Sequence, residues 1–551
     1  MKSSAALLLL LATGCTAFLP RRATPPEGDL PASFSIEDAG AAPDARWWDD
    51  FKNTELTTLV DEAMEANLSL RQLWARLDQA RSVVVQTASG FYPQINFEGG
   101  ARYTRTVTAV DANRPSLLSR LRESVNSGIV RGVNGALRSA GAETTAKTLA
   151  GSSTVTSQAL PGVGQILAGS IGQVLTGGAQ GGGASSPDRV VQESRQFNLT
   201  LLASYEVDIW GRIASQYRAA DYDYAATRED LESAAITLAA EVADRWIRIS
   251  EQQELLRILR EQLETNRTYL ELVELRFRKA QVSALDVYQQ RQAVQEIERQ
   301  IPLVEAQEQV LRHDLAVLLG RPPLSSVAAG GYDLALVPDV PGVGIPAELL
   351  LRRPDIRAAW ARLEAADYRV AAARADLLPA LRLSGGIGHN TRQIRHLFDD
   401  WFLTVAGELS APVFDGFRRR AEVERSLAVT EERLADYRLT ILTAIREVED
   451  ALVLERYQRE QIAALARQLE TAQNALREAS RRYQRGVSDY LPVLAALERT
   501  QSLARILVSS RRELLLYRIS LYRALGGTWT QELQAPERFI DEVPTASEAA
   551  S

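Results

Sequence analysis

The feature that most constrains this chain is an internal repeat with an unequal gap. Phe91-Tyr92-Pro93-Gln94-Ile95 matches Leu377-Leu378-Pro379-Ala380-Leu381 at an offset of 286 residues (379 − 93). The same offset pairs Leu70 with Ile356, Ala75 with Ala361, Leu77 with Leu363 and Ala80 with Ala366. Further along, Gly320 matches Gly526 at an offset of 206 (526 − 320). That offset also pairs Arg212 with Arg418, Glu241-Val242 with Glu447-Val448, Asp244 with Asp450, Arg276 with Arg482 and Leu285 with Leu491. Two long ungapped offsets mean two copies of one supersecondary unit. Their difference, 286 − 206 = 80, places about 80 extra residues in the first copy, between Arg102 and Phe197. The second copy spans the same interval with a loop from His389 to Asp400.

Each copy reads as helix, strand, loop, strand and two long helices. Val242, Ile249, Leu256, Leu263, Leu270 and Phe277 stand seven apart. So do Val448, Ile462, Leu469, Leu476 and Tyr483, with Glu455 occupying one place in the column. Ile297, Val304, Leu311 and Leu318 form a third series. A seven-residue period calls for left-handed coiled-coil packing of long helices. Helices alone are equally compatible with a plain coiled-coil protein, so the strands carry the distinction.

In the first strand Ile95, Phe97, Gly99, Ala101 and Tyr103 alternate with Asn96, Glu98, Gly100, Arg102 and Thr104. In the second, Phe197, Leu199, Leu201, Ala203 and Tyr205 alternate with Asn198, Thr200, Leu202, Ser204 and Glu206. Leu381, Leu383, Gly385 and Ile387, then Leu403, Val405, Gly407 and Leu409, repeat the pattern in the second copy. One apolar and one polar face on segments of about ten residues is the transmembrane-barrel pattern. Charges on the lipid side cost about 2–4 kcal/mol at mid-bilayer. The alternation therefore assigns Glu98, Arg102, Glu206, Arg382 and Glu408 to the lumen. Four strands cannot close a barrel, and open edges in lipid leave backbone groups unsatisfied. Several chains must share one barrel.

The N-terminus fits an envelope destination. Lys2, an apolar stretch from Ala5 to Ala12 and the small residues before Cys15 make a secretory signal over residues 1–14. Ala12-Thr13-Gly14-Cys15 resembles a bacterial lipobox, in which the cysteine is acylated and becomes the mature N-terminus. Cys15 is the only cysteine, so no internal disulfide can form. Residues 15–46 are rich in proline and small residues and read as an extended tether. A net charge of −7 argues against a nucleic-acid partner. No run of about 18–20 apolar residues suggests a membrane helix.

Taken together these segments resemble the TolC-type outer-membrane efflux family, in its lipoprotein branch similar to OprM and NodT. The resemblance runs from Trp47-Trp48 to about Trp529. It rests most on Leu349-Leu350, Arg353-Pro354-Asp355-Ile356, Leu363 and Ala365-Ala366. Tyr205 to Arg212, Val413-Phe414-Asp415-Gly416, Arg482-Tyr483 and Gly486-Val487 add to it. The resemblance implies a mainly α fold with β: a coiled-coil α-helical barrel and a transmembrane β-barrel, each shared by three protomers. It implies a first repeat over residues 47–322, with an insertion over about 106–193, a second over 345–527, and a C-terminal tail over 528–551.

The same resemblance implies a homotrimer in the outer membrane of a Gram-negative bacterium, with its helical tunnel in the periplasm. Its partners would be outer-membrane lipid, a periplasmic adaptor and an inner-membrane RND-type pump. Such a duct conducts drugs or other small solutes passively, without catalysis, metal or cofactor. Leu491 falls on the family's apolar periplasmic gate position. The acid common one turn later is Ala495 here, with Asp489 as a substitute, and Arg485 lies four residues before it. Ala280 and Phe417 stand where the family commonly has glycine, so the first hairpin is expected to turn differently. Two alternatives stay open: a type I secretion duct for proteins, and a periplasmic coiled-coil interaction protein with no pore.

No nucleophile, phosphate loop or dinucleotide fingerprint emerges. His396 beside Asp399 and Asp400 allows a metal reading, set against an ordinary solvated loop. The long insertion, with an amphipathic stretch at Leu117 to Val133, is expected to emerge at the extracellular mouth as a cap or as a surface loop.

Overall fold

The computed structural model describes residues 33–34, 46–109, 189–325, 327–527 and 529–535. Cys15, the signal, most of the tether, nearly all of the insertion and most of the C-terminal tail lie outside the described residues. The chain divides into two compact units. The first comprises Met1–Gln94, Ser204–Ser384 and Ala406–Ser551, and the second Ile95–Ala203 and Gly385–Val405.

Helices dominate the first unit. They are α1 (Thr54–Ala66), α2 (Leu68–Ala88), α3 (Arg212–Arg278), α4 (Ala284–Leu318), α5 (Pro354–Ala375), α6 (Arg418–Gln484) and α7 (Leu491–Leu525). Both α3 and α6 run 67 residues, and both α4 and α7 run 35. The repeat is thus reproduced element by element. At 1.5 Å per residue, a 67-residue helix is about 100 Å long.

The heptad columns become the helix seams. Val242, Ile249, Leu256 and Leu263 are buried on α3, as are Ile297 and Leu311 on α4. On α6 the column is buried at Val448 and Tyr483. Glu455 keeps its place in that column by pairing with Arg518 of α7, Nη2 to Oε1 at 2.5 Å. Arg518 is fully buried, and its guanidinium also donates to the Pro338 and Asp339 carbonyls.

The two halves close their helical layers by one device. Asn67 caps α2 through the Leu70 amide, and its side-chain amide donates to the Leu318 carbonyl at 2.8 Å. Arg353, its counterpart ahead of α5, donates to the Ala524 carbonyl at 3.0 Å and pairs with Asp355 and Glu447. Leu318 and Ala524 are themselves counterparts, so this contact recurs with a different side chain. Beside it, Gly320 and Gly526 take positive φ of 70° and 74°. A Cβ on Gly320 would lie 2.4 Å from the Ala66 carbonyl oxygen, and one on Gly526 3.0 Å from that of Arg352. Helices α4 and α7 must therefore end in glycine.

At the N-terminal end of the described helices, Trp47 and Trp48 are buried, and the Trp47 ring stacks on Tyr522 with centroids 5.2 Å apart. Burying aromatic side chains of this size contributes on the order of 1.5–3 kcal/mol each.

The strands β1 (Gln94–Ala109), β2 (Arg189–Val207), β3 (Ala380–Thr391) and β4 (Trp401–Ser410) form one antiparallel sheet in the order β1-β2-β3-β4. Both edges, β1 and β4, have no strand beside them among the described residues. No described helix is long and apolar enough to cross a membrane.

Candidate functional site

The strand faces obey the period of two. Gly99 approaches Leu199, while Gly100 approaches Asn198 and Gly386 approaches Leu202. Apolar-face residues thus meet their own kind, and so do residues of the opposite face. That opposite face is the more crowded. A Cβ on Gly388 would meet the Leu199 carbonyl oxygen at 2.3 Å and Thr200 Cα at 2.8 Å. Gly386, Gly388 and Thr200 are buried there, whereas Ile95, Phe97, Leu383, Leu403 and Val405 on the apolar face are exposed.

Of the five charges on the crowded face, the fold brings two together. Arg382 Nε lies 3.4 Å from Glu206 Oε2, and Glu206 also accepts from Arg212 Nη2 at 2.7 Å. Glu98, Arg102 and Glu408 are exposed. The apolar face is bounded beyond Tyr103, where Arg105 Nε lies 3.6 Å from Glu193 Oε1 and the Arg195 guanidinium lies 5.9 Å from the Tyr103 ring centroid.

At the far ends of the long helices, the two hairpin tips pack on one another. Val273, Val287, Tyr483, Tyr490, Val493 and Leu494 form a buried cluster. Around it runs a polar ladder that sequence patterning did not reveal. The Tyr490 hydroxyl donates to Gln290 Oε1 at 2.6 Å, and Gln290 Nε2 donates to the Asn266 carbonyl at 2.8 Å. Gln262 Nε2 donates to the Gln501 carbonyl at 3.1 Å. Arg276 lies 4.2 Å from the Tyr483 ring centroid and donates to the Tyr483 carbonyl. Burial pushes the Tyr490 phenol up from its ordinary value, so it stays a neutral donor.

Leu491, the first residue of α7, is 56% exposed within its own chain. Arg485 and Asp489 are also exposed. They form no ion pair within 4.0 Å among the described residues, contrary to what a spacing of four allows. Helix α6 ends at Gln484 and Gly486 turns left-handed with φ 72°, so the four-residue helical spacing no longer holds.

The first tip does not turn differently. Ala280 takes φ 55°, the left-handed conformation of its counterpart Gly486. Ser283 then starts α4 with a reciprocal capping box to Asp286. Phe417 likewise takes φ 67° against φ 71° at its counterpart Gly211. The fold imposes the turn and the two residues bear the strain.

His396 Nδ1 lies 2.5 Å from Asp399 Oδ2, and His389 Nδ1 lies 2.9 Å from the Asp400 carbonyl. Among the described residues no three metal-donor side chains gather at one point. The Glu455–Arg518 pair had one sequence signal, the acid interrupting a heptad column. Tyr490 and Gln290, which are 200 residues apart, had none.

The family model described as outer membrane efflux protein matches residues 173–321 and 345–527. The pyoverdine export outer membrane protein OpmQ of Pseudomonas putida is 32% identical over 497 residues, covering 89% of this chain and 90% of that protein. The outer membrane protein OprJ of Pseudomonas aeruginosa is 34% identical over 355 residues, covering 62% of this chain and 72% of its own. The Campylobacter jejuni CmeC outer membrane channel superposes with a TM-score of 0.73 at 19% identity, covering 94% of this chain and 96% of that one.

Proposed function

The chain belongs to the outer membrane efflux protein family, and from that premise we propose how three copies make a working duct. The protein is the outer-membrane exit duct of a tripartite RND-type efflux system, a conduit and not an enzyme. The observation that carries the structural side is the four-stranded sheet with two open edges. Such a sheet is stable in lipid only when its edges are paired. Three copies supply twelve strands, enough for a barrel with an aqueous interior. The crowded face carrying Glu98, Arg102, Glu206, Arg382 and Glu408 lines the lumen, and the exposed apolar face meets lipid.

The long helices continue the conduit into the periplasm and meet an adaptor and an inner-membrane pump, which supplies the energy. The cargo is small solutes; pyoverdine belongs to the names of relatives. Leu491 is the periplasmic constriction, with Arg485 and Asp489 beside it. Its exposure beside the buried Tyr490, Val493 and Leu494 leaves it available to other copies and supports that role. Cys15 carries the lipid anchor, a proposal resting on the lipobox resemblance.

The test is planar-bilayer conductance of the detergent-purified protein, with the oligomer mass measured on the same preparation. Conducting trimers are expected. A monomer that never inserts would sink the shared barrel. For the anchor, the full-length protein should incorporate labelled palmitate and Cys15→Ala should not; equal labelling of both would place the lipid elsewhere.

A further inference from the structure

We propose that Val413, Phe414 and Phe417 of one copy pack against Phe91 and Tyr92 of the next copy, forming an aromatic seam where β4 ends and the neighbour's β1 begins. The inference rests on the shared-barrel reading and adds to it which residues seal the junction.

The order of the sheet decides which edges meet. A ring of identical chains closes only if one edge meets the other edge of the next copy. A β1–β1 junction would leave both β4 edges open. The four strands alternate in direction, so β4 meets the neighbour's β1 antiparallel, and the end of β4 at Ser410 lies beside the start of that β1 at Gln94. The residues that follow β4 then lie beside those that precede the neighbour's β1.

The repeat provides a second, independent observation, because the same junction exists once inside the chain. The end of β2 lies beside the start of β3, and Trp210 Nε1 donates to the Pro379 carbonyl at 2.8 Å. The two offsets carry residues 207–211 onto 413–417 and Leu377-Leu378-Pro379 onto Phe91-Tyr92-Pro93. Inside the chain residues 207–211 and Leu378 are half-buried, while Leu377 is 39% exposed, close to the 37% of its counterpart Phe91, so the contrast lies at the other positions. At the counterpart positions Val413 is 96% exposed, Phe414 82% and Tyr92 69%. The first copy of the motif has its partner in the same chain, and the second lacks only the next copy.

Chemistry differs between the two junctions. Gly416 stands where Trp210 stands, so the indole hydrogen bond cannot recur. In its place Phe414 and Phe417 meet edge to face, with centroids 6.1 Å apart. Phe417 holds this position at φ 67°. An aromatic residue in a left-handed conformation is an unfavourable choice unless its ring has somewhere to go.

The test is cross-linking of the full-length protein in its membrane. Cys15 is the only native cysteine, so the parental chain is the blank. Tyr92→Cys combined with Phe414→Cys, treated with a short bifunctional maleimide, should give covalent dimers and trimers on denaturing gels. Either change alone should not. A second pair, Tyr103→Cys with Val405→Cys, reports on the barrel itself, because the offsets carry His389 and Leu199 onto these positions. If the second pair cross-links and the first does not, the seam is wrong while the shared barrel stands, and the rings face lipid. If neither does, the shared barrel fails as well. Phe414→Ser alone should lower the temperature at which the detergent-resistant oligomer dissociates; an unchanged temperature would overturn the seam.

Discussion

Glu455 and Arg518 decide whether the seam of α6 and α7 is one structure or several. Neither has appreciable contact with solvent; Glu455 is the carboxylate paired with Arg518 and also holds the more exposed Arg459 at 3.0 Å. Removing Glu455 leaves the buried Arg518 without a carboxylate, at a cost of about 3–5 kcal/mol, whereas removing Arg518 leaves Glu455 still paired with Arg459. Glu455→Leu should therefore lower the urea midpoint of the solubilised protein strongly. Glu455→Leu with Arg518→Leu should recover most of the loss. It should not recover all, since the Pro338 and Asp339 carbonyls lose their donor, at about 1 kcal/mol for each such bond. If the double variant is as unstable as Glu455→Leu, an unpaired Arg518 charge is not the cause of the loss. Periodicity placed Glu455 in the core but could not name its partner 63 residues away, because a heptad fixes a face and not a neighbour. Asp367 gives a second residue-scale expectation. Burial, aided by Glu364, raises its carboxyl to about 6. The folded state then binds the proton more tightly than the unfolded state does, so this residue's contribution to stability falls as pH rises from about 4 to 6. Asp367→Asn should be more stable than the parent at pH 7.5 and lose that advantage near pH 4. A difference between them that does not vary with pH would exclude the shift.

At the scale of elements, the turns are where sequence and structure part company. Ala280 and Gly486 adopt one conformation with unequal strain, so Ala280→Gly should stabilise the first hairpin, by roughly 0.5 kcal/mol after glycine's entropic cost. Hydrogen exchange at the tip would register this as slower opening; faster opening would mean that Ala280 is not strained. Gly320→Ala should act in the opposite sense and cost more than Gly526→Ala, because its Cβ would meet backbone at the shorter distance. Thermal midpoints of the two variants order the effect. The register of the repeat was legible, since the offsets carry the starts of α2, β1 and α3 onto α5, β3 and α6, but β2 begins at Arg189, eight residues before the alternation read from Phe197. The unformed Arg485–Asp489 pair was not legible, because a spacing of four means proximity only where the helix continues.

For the whole molecule, the proposed gate makes conduction depend on the two hairpins and on what joins their tips. Tyr490 and Gln290 join them inside one chain, whereas Leu491 beside them is free to face other copies. Leu491→Ser should raise open probability in planar bilayers severalfold, with the single-channel current at full opening unchanged. Tyr490→Phe should raise it too, by loosening the tip while leaving the constriction intact. A parental record from Leu491→Ser would remove that residue from the gate. The alternation of strand residues revealed the barrel from sequence alone; which side chains would close the other end depends on contacts between distant helices, and Leu491 is proposed only through the resemblance.

The equality of the hairpin arms, 67 residues followed by 35 in both repeats, limits how such a protein can change in length. Losing a single residue from one arm would rotate everything beyond it by about 100°, turning a buried column toward water. A lone insertion of seven would preserve the column but leave one hairpin a step ahead of the other, separating Tyr490 from Gln290. Viable length variants must therefore arise in matched sevens, entered on all four arms together. Lineages of this duct should differ in reach by whole heptads, with intermediate lengths missing.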